Sequence, residues 1–435
     1  MANEINLNNR RKYTFRPREV QMIYNIKDKL PFKEWILFST QLMLSVVVAT
    51  ILIANICGTS VPAALVGAGI STIAYLLVTG FSSPMFISSS GAFVAPVMTA
   101  LATAGYTGAA FGGLVSCIIY CVFGYIFTKV PVESIYKVFP KALIGAVTCV
   151  IGINLMPFCL TYVQINGTTN MWGMAIAMIT MFAIAIISHY AKGISKILPF
   201  LLGTLIGYAV AIVITITGLH PVVDFSVFNN LTWFHVPDFG FTYWSNIDVI
   251  SMFSIAIIYA AYTVSALMEC LSDHAALGGI IGTDLYKTPG LSRIFLGTGV
   301  ANLLNGCIGG LGSCSYGEGV ATVGFSKVAS TRVTLGAALM LILLGFFAPV
   351  QAFISSIPSC VFCGSALILY GYIACSGIKM LQQVDLNIQK NLVITSAVLS
   401  LGISGLVIGN STISFSATAL ALIVGVILNF VLKEA

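Results

Sequence analysis

Pro84-Met-Phe-Ile-Ser-Ser-Ser-Gly-Ala-Phe-Val-Ala-Pro96 and Gly312-Ser-Cys-Ser-Tyr-Gly-Glu-Gly-Val-Ala321 are apolar stretches, each broken by small polar residues and glycine. A helix needs roughly 20 apolar residues to cross the hydrocarbon core of a bilayer, and neither stretch supplies them unbroken. Around the break the two rhyme, Ser89-Ser-Gly-Ala against Ser315-Tyr-Gly-Glu. Glycine there lets the backbone turn and lets its N–H approach a ligand. A half-helix that follows aims a positive dipole end into the same space. Small residues also permit close helix packing, so each stretch alone is ambiguous, and their positions in the chain decide the reading.

Those positions come from the hydrophobic runs. Fourteen predicted spans centre near Leu44, Ile70, Val94, Ser116, Val147, Met178, Leu205, Ile258, Leu303, Val320, Met340, Leu367, Ala397 and Leu420, and the broken stretches are the third and the tenth. Fourteen divides into two sevens, and an odd-numbered unit repeated in tandem enters the membrane in opposite orientations. The expectation is an all-α polytopic membrane protein of two inverted repeats, roughly 34–218 and 247–432, with discontinuous segments meeting near the midplane. A transmembrane transporter domain, 34–435, would follow a cytoplasmic segment, 1–33.

Composition agrees with lipid as the solvent. Of 435 residues, 58% are hydrophobic and 8% charged, against about a quarter charged in soluble domains. Met1 to Arg18 is basic and polar without an apolar core, so no cleaved leader is expected. Basic residues should lie on the cytoplasmic side. Of 20, eight precede the first span: Arg10, Arg11, Lys12, Arg16, Arg18, Lys27, Lys29 and Lys33. The others fall after even-numbered spans or at the C-terminus: Lys129, Lys137, Lys141, Lys192, Lys196, Lys287, Arg293, Lys327, Arg332, Lys379, Lys390 and Lys433. None is left for the external side, where the longest connection runs from Leu219 to Asn246. A multi-pass protein of the plasma membrane with both termini cytoplasmic is expected, and the net charge of +6 reflects orientation, with no nucleic-acid partner. Asn166, Asn230 and Asn410 begin Asn-x-Ser/Thr sequences in predicted external loops, which mean nothing without a secretory host.

Three carboxylates lie within predicted spans: Glu269, Asp273 and Glu318. An ionised carboxylate at the bilayer centre costs at least roughly 2.5 kcal/mol, and no Lys or Arg within a span neutralises these. Glu269 and Asp273 are four apart, on one helix face about a turn from each other. Repulsion and burial disfavour ionising both, so the pair is expected to hold a proton that can be gained or lost. Glu318 follows Gly317 at the break of the tenth span, where backbone donors can stabilise its charge. His274 points elsewhere on its helix. Carboxylates that accept from ring N–H groups, with backbone N–H groups at Gly91 and Gly317 that donate to carbonyls, suit a small planar ligand. Walker loop, dinucleotide fingerprint and His cluster are all absent, which argues against ATP-driven transport, an enzyme and a metal site. The proton would be the coupling ion, with no cofactor. Cys360 and Cys363 lie in a hydrophobic run and read as buried small hydrophobes.

The stretch Met268-Glu-Cys-Leu-Ser-Asp-His-Ala-Ala-Leu-Gly-Gly-Ile-Ile-Gly-Thr-Asp-Leu-Tyr-Lys-Thr-Pro-Gly290 resembles the eighth span and following loop of bacterial uracil permeases. Ser315-Tyr-Gly-Glu318, Tyr370-Gly-Tyr-Ile-Ala-Cys-Ser-Gly-Ile-Lys379 and Ser88-Ser-Ser-Gly-Ala-Phe-Val-Ala-Pro-Val97 continue the likeness, which runs from Gln41 onward. The family is that of the nucleobase–ascorbate transporters, or nucleobase:cation symporter-2. The resemblance implies a core domain moving against a gate domain, a homodimer in the bilayer, and proton-coupled uptake of a nucleobase, most of all uracil. It implies that Glu269 and Glu318 hold the base through its ring nitrogens and that the amides of Gly91 and Gly317 hold its carbonyls. Tyr316 would shape the pocket and Tyr370 would line the gate side. Asp273 would couple the proton together with Glu269, bonded to Ser90. Departures from the family's pattern are Gln41-Leu42, Gly319-Val-Ala321, Ser326-Lys327 and Gly91, which would enlarge the pocket. A purine of the xanthine or urate type is the alternative substrate, and an anion exchanger of related fold the alternative class.

Overall fold

A computed structural model of the chain describes residues 22–432 apart from 130–136, 138, 162, 166–167, 193–194, 196–197, 230–231, 407, 410–413 and 416. Asn166, Asn230, Asn410, Lys196, Lys433 and the five basic residues from Arg10 to Arg18 lie outside the described residues. The helices are α1 Phe32–Cys57, α2 Val61–Val78, α3 Val94–Lys129, α4 Lys141–Thr161, α5 Met171–Tyr190, α6 Pro199–Ile216 and α7 Val249–Ile281. They continue as α8 Leu291–Ile308, α9 Gly317–Ser326, α10 Thr331–Phe346, α11 Ala348–Ser356, α12 Ser359–Leu381, α13 Gln389–Ile403 and α14 Ala417–Val431. Every predicted span centre falls inside one of them, and α11 is a short helix the hydrophobic pattern did not separate. Among the described residues, 7 helices are long and apolar enough to cross a membrane.

The two broken stretches shape the interior. α3 leaves helical geometry at Ala104 and Gly105, where Gly105 has φ 57°, a left-handed conformation that glycine adopts without penalty. The predicted third and fourth spans are thus the two arms of α3. α9 is 10 residues long and ends at Lys327 with φ 57°. At about 1.5 Å per residue it covers about 15 Å, half of the roughly 30 Å core.

Ahead of each half-helix the chain is extended, a local departure from the all-α expectation. Strand β1, Ile87–Ser89, pairs antiparallel with β2, Ser313–Ser315, in the register Ile87↔Ser315, Ser88↔Cys314 and Ser89↔Ser313. Bonds from Ser90 N to the Gly312 carbonyl (2.9 Å) and from Tyr316 N to the Phe86 carbonyl (3.1 Å) lengthen the ladder. All six strand residues are buried. A two-stranded ladder has two open edges, and away from water each unpaired group must find a partner in the protein. Thr72 on α2 serves one edge: its hydroxyl donates to the Ile87 carbonyl (2.6 Å) and accepts from Ile87 N (3.2 Å). Asn302 on α8 serves the other, donating to the Ser313 carbonyl (2.6 Å) and accepting from Ser313 N (2.9 Å). Asn305, one turn on, donates to the hydroxyls of Ser313 (2.9 Å) and Ser89 (3.3 Å) and so bridges the strands.

Around this ladder the helices pack in two groups. α3 lies on α8 and α7, α2 on α8 and α10, and α1 on α10. In the second group α4 lies on α12 and α13, α5 on α6 and α12, and α13 on α14. Small residues let backbones approach: a Cβ at Gly145, Gly152 or Gly377 would strike backbone across the α4–α12 contact.

The loops sort by side. Residues Ile23 to Ile26 run beside Lys327–Thr331, with Ile23 N bonded to the Lys327 carbonyl (2.8 Å) and Ala329 N to that of Tyr24 (2.8 Å). Lys141 reaches Gln383 (2.8 Å) and Asn429 the Lys137 carbonyl (2.7 Å). Elsewhere Phe234 bridges to Phe347, Tyr106 stacks on Tyr243, and Ser245 N bonds Thr107 (2.7 Å).

Replacing Asn302 by Leu strands a buried N–H and carbonyl of Ser313. At about 1–3 kcal/mol per unpaired group the protein loses about 2–6 kcal/mol, read as a lower apparent Tm in detergent. An unchanged Tm would mean that the strand edge is not held by this residue.

Candidate functional site

Asp248 caps α7 by accepting from Ser251 N (2.9 Å), and Gly282 ends the helix with φ 71°. Between them α7 carries Glu269 and Asp273 one turn apart, facing the ladder. Glu318 stands in the first turn of α9. The first N–H groups of a helix lack intrahelical acceptors, so the starts of the Gly91–Phe93 turn and of α9 bring free donors to the same place.

A cavity of about 630 Å³ joins these parts, lined by Ser90, Gly91, Glu269, Asp273, Tyr316, Gly317 and Glu318. Its other wall belongs to the second helix group, with Thr148 and Ile151 from α4 and Leu369, Tyr372 and Ile373 from α12. It continues along α12 to Lys379 and Met380 and to Leu198–Leu201 at the start of α6. Lys379, in the last turn of α12, is the single Lys or Arg on this wall among the described residues, distant in sequence from the carboxylates on α7 and α9.

Two expected placements differ. Asp273 accepts from Ser315 Oγ at 2.6 Å, and the Ser90 hydroxyl accepts from Ala92 N at 3.2 Å. The strand register explains the change: Ser315 closes the ladder opposite Ile87, beside Asp273, whereas Ser90 lies past the ladder's other end, near Glu269 one turn earlier on α7. Tyr370 is buried off the cavity, and Tyr372 lines it instead. Helix geometry again gives the reason, because Leu369, Tyr372 and Ile373 share one face at i, i+3 and i+4 while position 370 lies about 100° round the axis. Tyr316 lines the cavity, and its hydroxyl donates to the Ser89 carbonyl (2.6 Å), tying the two broken segments together.

Comparison with known proteins fits this geometry. The Permease family matches residues 33–410 of the chain. The chain belongs to that family. It is 33% identical to the uracil permease of Bacillus caldolyticus over 94% of each chain, and 32% identical to that of Bacillus subtilis over 93% of this chain and 94% of the relative. The uracil permease of Escherichia coli K12 is 29% identical over 94% of this chain and 93% of its own. In fold it is similar to the transmembrane domain of the cyanobacterial bicarbonate transporter BicA, at TM-score 0.65 and 15% identity over 93% of this chain and all of the other. SLC26A9 matches at TM-score 0.69 and 13% identity, over 92% of this chain and 66% of the other. The nucleobase–ascorbate transporter resemblance stands, and the chain is a multi-pass membrane permease rather than an enzyme.

His274 of the permease is buried and turned from the cavity. Its Nδ1 lies 2.7 Å from the Cys270 carbonyl, which can only accept, so Nδ1 carries a proton; Nε2 lies 2.7 Å from the Tyr75 hydroxyl. It joins α7 to α2. Cys360 and Cys363 are buried free thiols. Sequence reasoning missed Thr72, Asn302, Asn305, the bond from Ser315 to Asp273 and the α12 face. Of these only the α12 face carried a signal, its i, i+3, i+4 spacing.

Replacing Ser315 by Ala removes the hydrogen bond that Asp273 accepts, an interaction of about 0.5–3 kcal/mol. Substrate transport should fall about tenfold or more, measured as initial uptake in proteoliposomes with matched protein content. Full activity would show that Ser315 does not set the Asp273 geometry.

Proposed function

We propose that the permease takes up a nucleobase, uracil foremost, in symport with a proton. The observation that carries this reading is the single cavity in which Glu269 and Glu318 stand with the amides of Gly91 and Gly317. A pyrimidine dione alternates N–H donors with carbonyl acceptors in one plane. Carboxylates answer the former and helix-start amides the latter. The names of the relatives point the same way. Asp273 and Glu269, a turn apart without a cation between them, form the proton site: like charges in a poorly solvated place favour sharing a proton. Ser90, at the N-terminus of its half-helix, supports Glu269. Transport then couples proton and base because the base completes the coordination of the carboxylates.

Two inverted seven-span repeats, a core of α1–α3 and α7–α10 and a gate of α4–α6 and α12–α14, make up the architecture we propose. Exchanging the halves maps each packing pair named above onto another of them or onto itself. The second arm of α3 on α8 becomes α10 on α2, that arm on α7 becomes α10 on α1, and α5 on α6 becomes α13 on α14. The same exchange turns Thr72 serving Ile87 into Asn302 serving Ser313. Loop contacts support the orientation, with both termini cytoplasmic. Residues 22–30 meet the loop after the tenth span and Lys141 that after the twelfth, while Phe234 and Tyr243 meet loops after odd spans. On that orientation the cavity, running to Lys379 and Leu198, opens inward. We further propose the homodimer that the family resemblance implies. The absence of a side chain at Gly91 would by itself suit a purine, but Ile373 Cδ1 closes on that position, which favours the smaller ring. Anion exchange is disfavoured by three carboxylates.

In vesicles, radiolabelled uracil uptake should rise with an inward proton gradient and vanish in Glu269→Ala. Uptake indifferent to a protonophore would sink the coupling, and strong competition by xanthine but not by thymine would move the substrate to the purines. For orientation, a cysteine at position 236 should react with an impermeant maleimide from outside, and one at 385 only after the membrane is opened. The reverse pattern would invert the topology.

A further inference from the structure

We propose that Gly91 and Ile373 form a matched notch and knob that limits the size of the ring the site accepts, which makes Ile373 a specificity-determining residue. The inference rests on the nucleobase reading above. Both residues line the cavity that holds Glu269 and Glu318. A Cβ built at Gly91 would stand 2.9 Å from Ile373 Cδ1, with no other atom of a non-neighbouring residue within 4 Å. Position 91 therefore aims its missing side chain across the cavity at α12, and the tip of Ile373 fills the space.

Gly91 also opens the turn whose amides face the cavity, so a ring bonded there and to the carboxylates has to fit beneath Ile373. The corresponding position in the other break is different. A Cβ at Gly317 would meet only Asp273 Oδ1, at 4.0 Å, and nothing from α12 enters that notch. Clearance is thus set on the Gly91 side, by one flexible aliphatic tip. Leu369 and Tyr372 share the face, but Ile373 is the residue that reaches Gly91. The contact joins the two helix groups. It is made of one terminal methyl and no hydrogen bond, so any motion of one group against the other can break it at small cost.

A pyrimidine and a purine differ by a fused five-membered ring, and shape differences of one or two methylenes in an apolar pocket discriminate by about tenfold or more. The test is binding and uptake of uracil and xanthine by the purified full-length permease in liposomes. Ile373→Ala should shift the xanthine-to-uracil ratio toward xanthine by about tenfold, and Ile373→Val should shift it less in the same direction. Gly91→Ala should weaken uracil binding about tenfold by pressing on Ile373, and combining it with Ile373→Val should restore most of that loss. An unchanged ratio in both Ile373 variants, or a Gly91→Ala defect that Ile373→Val does not relieve, overturns the proposal. The milder valine variant and thermal unfolding of each protein separate a selectivity change from misfolding. Wild-type permease that binds neither base would overturn the nucleobase reading, a result distinct from a wild type that binds uracil with a ratio indifferent to position 373.

Discussion

Extended backbone can lie inside a bilayer only where every N–H and carbonyl it exposes is answered from within the protein. Ile87–Ser89 and Ser313–Ser315 pair with each other on their inner edges, while Thr72 answers Ile87, Asn302 answers Ser313 and Tyr316 answers the Ser89 carbonyl on the outer ones. Everything chemical about the permease hangs from this short ladder. It sets where two half-helices begin, and so where their free amides point. It also brings Ser315 to Asp273 and puts Tyr316 across to Ser89. Were the strands to slip by one residue, each side chain would exchange faces, and Glu318 would turn with them.

The arrangement reconciles two opposing demands. Carboxylates in a membrane are expensive, and a site for the polar ring proposed above needs them. Glu269, Asp273 and Glu318 share one cavity with helix starts and hydroxyls, and Lys379 is the single Lys or Arg that lines it among the described residues. Lys379 sits at the far end of α12, where it can attract an anionic or polar solute toward the cavity without pairing with the acids. The wall opposite the acids is apolar at Ile151, Leu369 and Ile373, so in the binding mode proposed above polar recognition falls to one helix group and shape to the other. That division suits a carrier in which the groups must separate: the hydrogen-bonded contacts stay with the ligand, and the contacts to be broken are weak and nonspecific.

Much of this was legible in the residues themselves. Long apolar runs, one-sided basic loops and acids with no cation in the spans all act through solvent preference, which is local and can be read one segment at a time. The half-helices were visible for the same reason, since Gly91 and Gly317 interrupt runs that should otherwise continue. Glu269 and Asp273 could be placed on one face because helical spacing is a local rule. By contrast, the partner of Asp273 depends on strand register, the choice between Tyr370 and Tyr372 on the rotation of α12, and the roles of Thr72 and Asn302 on which helices flank the ladder. The Gly91–Ile373 contact depends on how closely two helix groups approach. Each of these joins residues remote in sequence, where no periodicity links them. The sequence by itself determined that this chain lives in the membrane and holds three acids within its apolar runs; only the tertiary structure decided which hydroxyl, which face and which opposing side chain each of them meets, because those are fixed by packing across distances the local pattern does not carry.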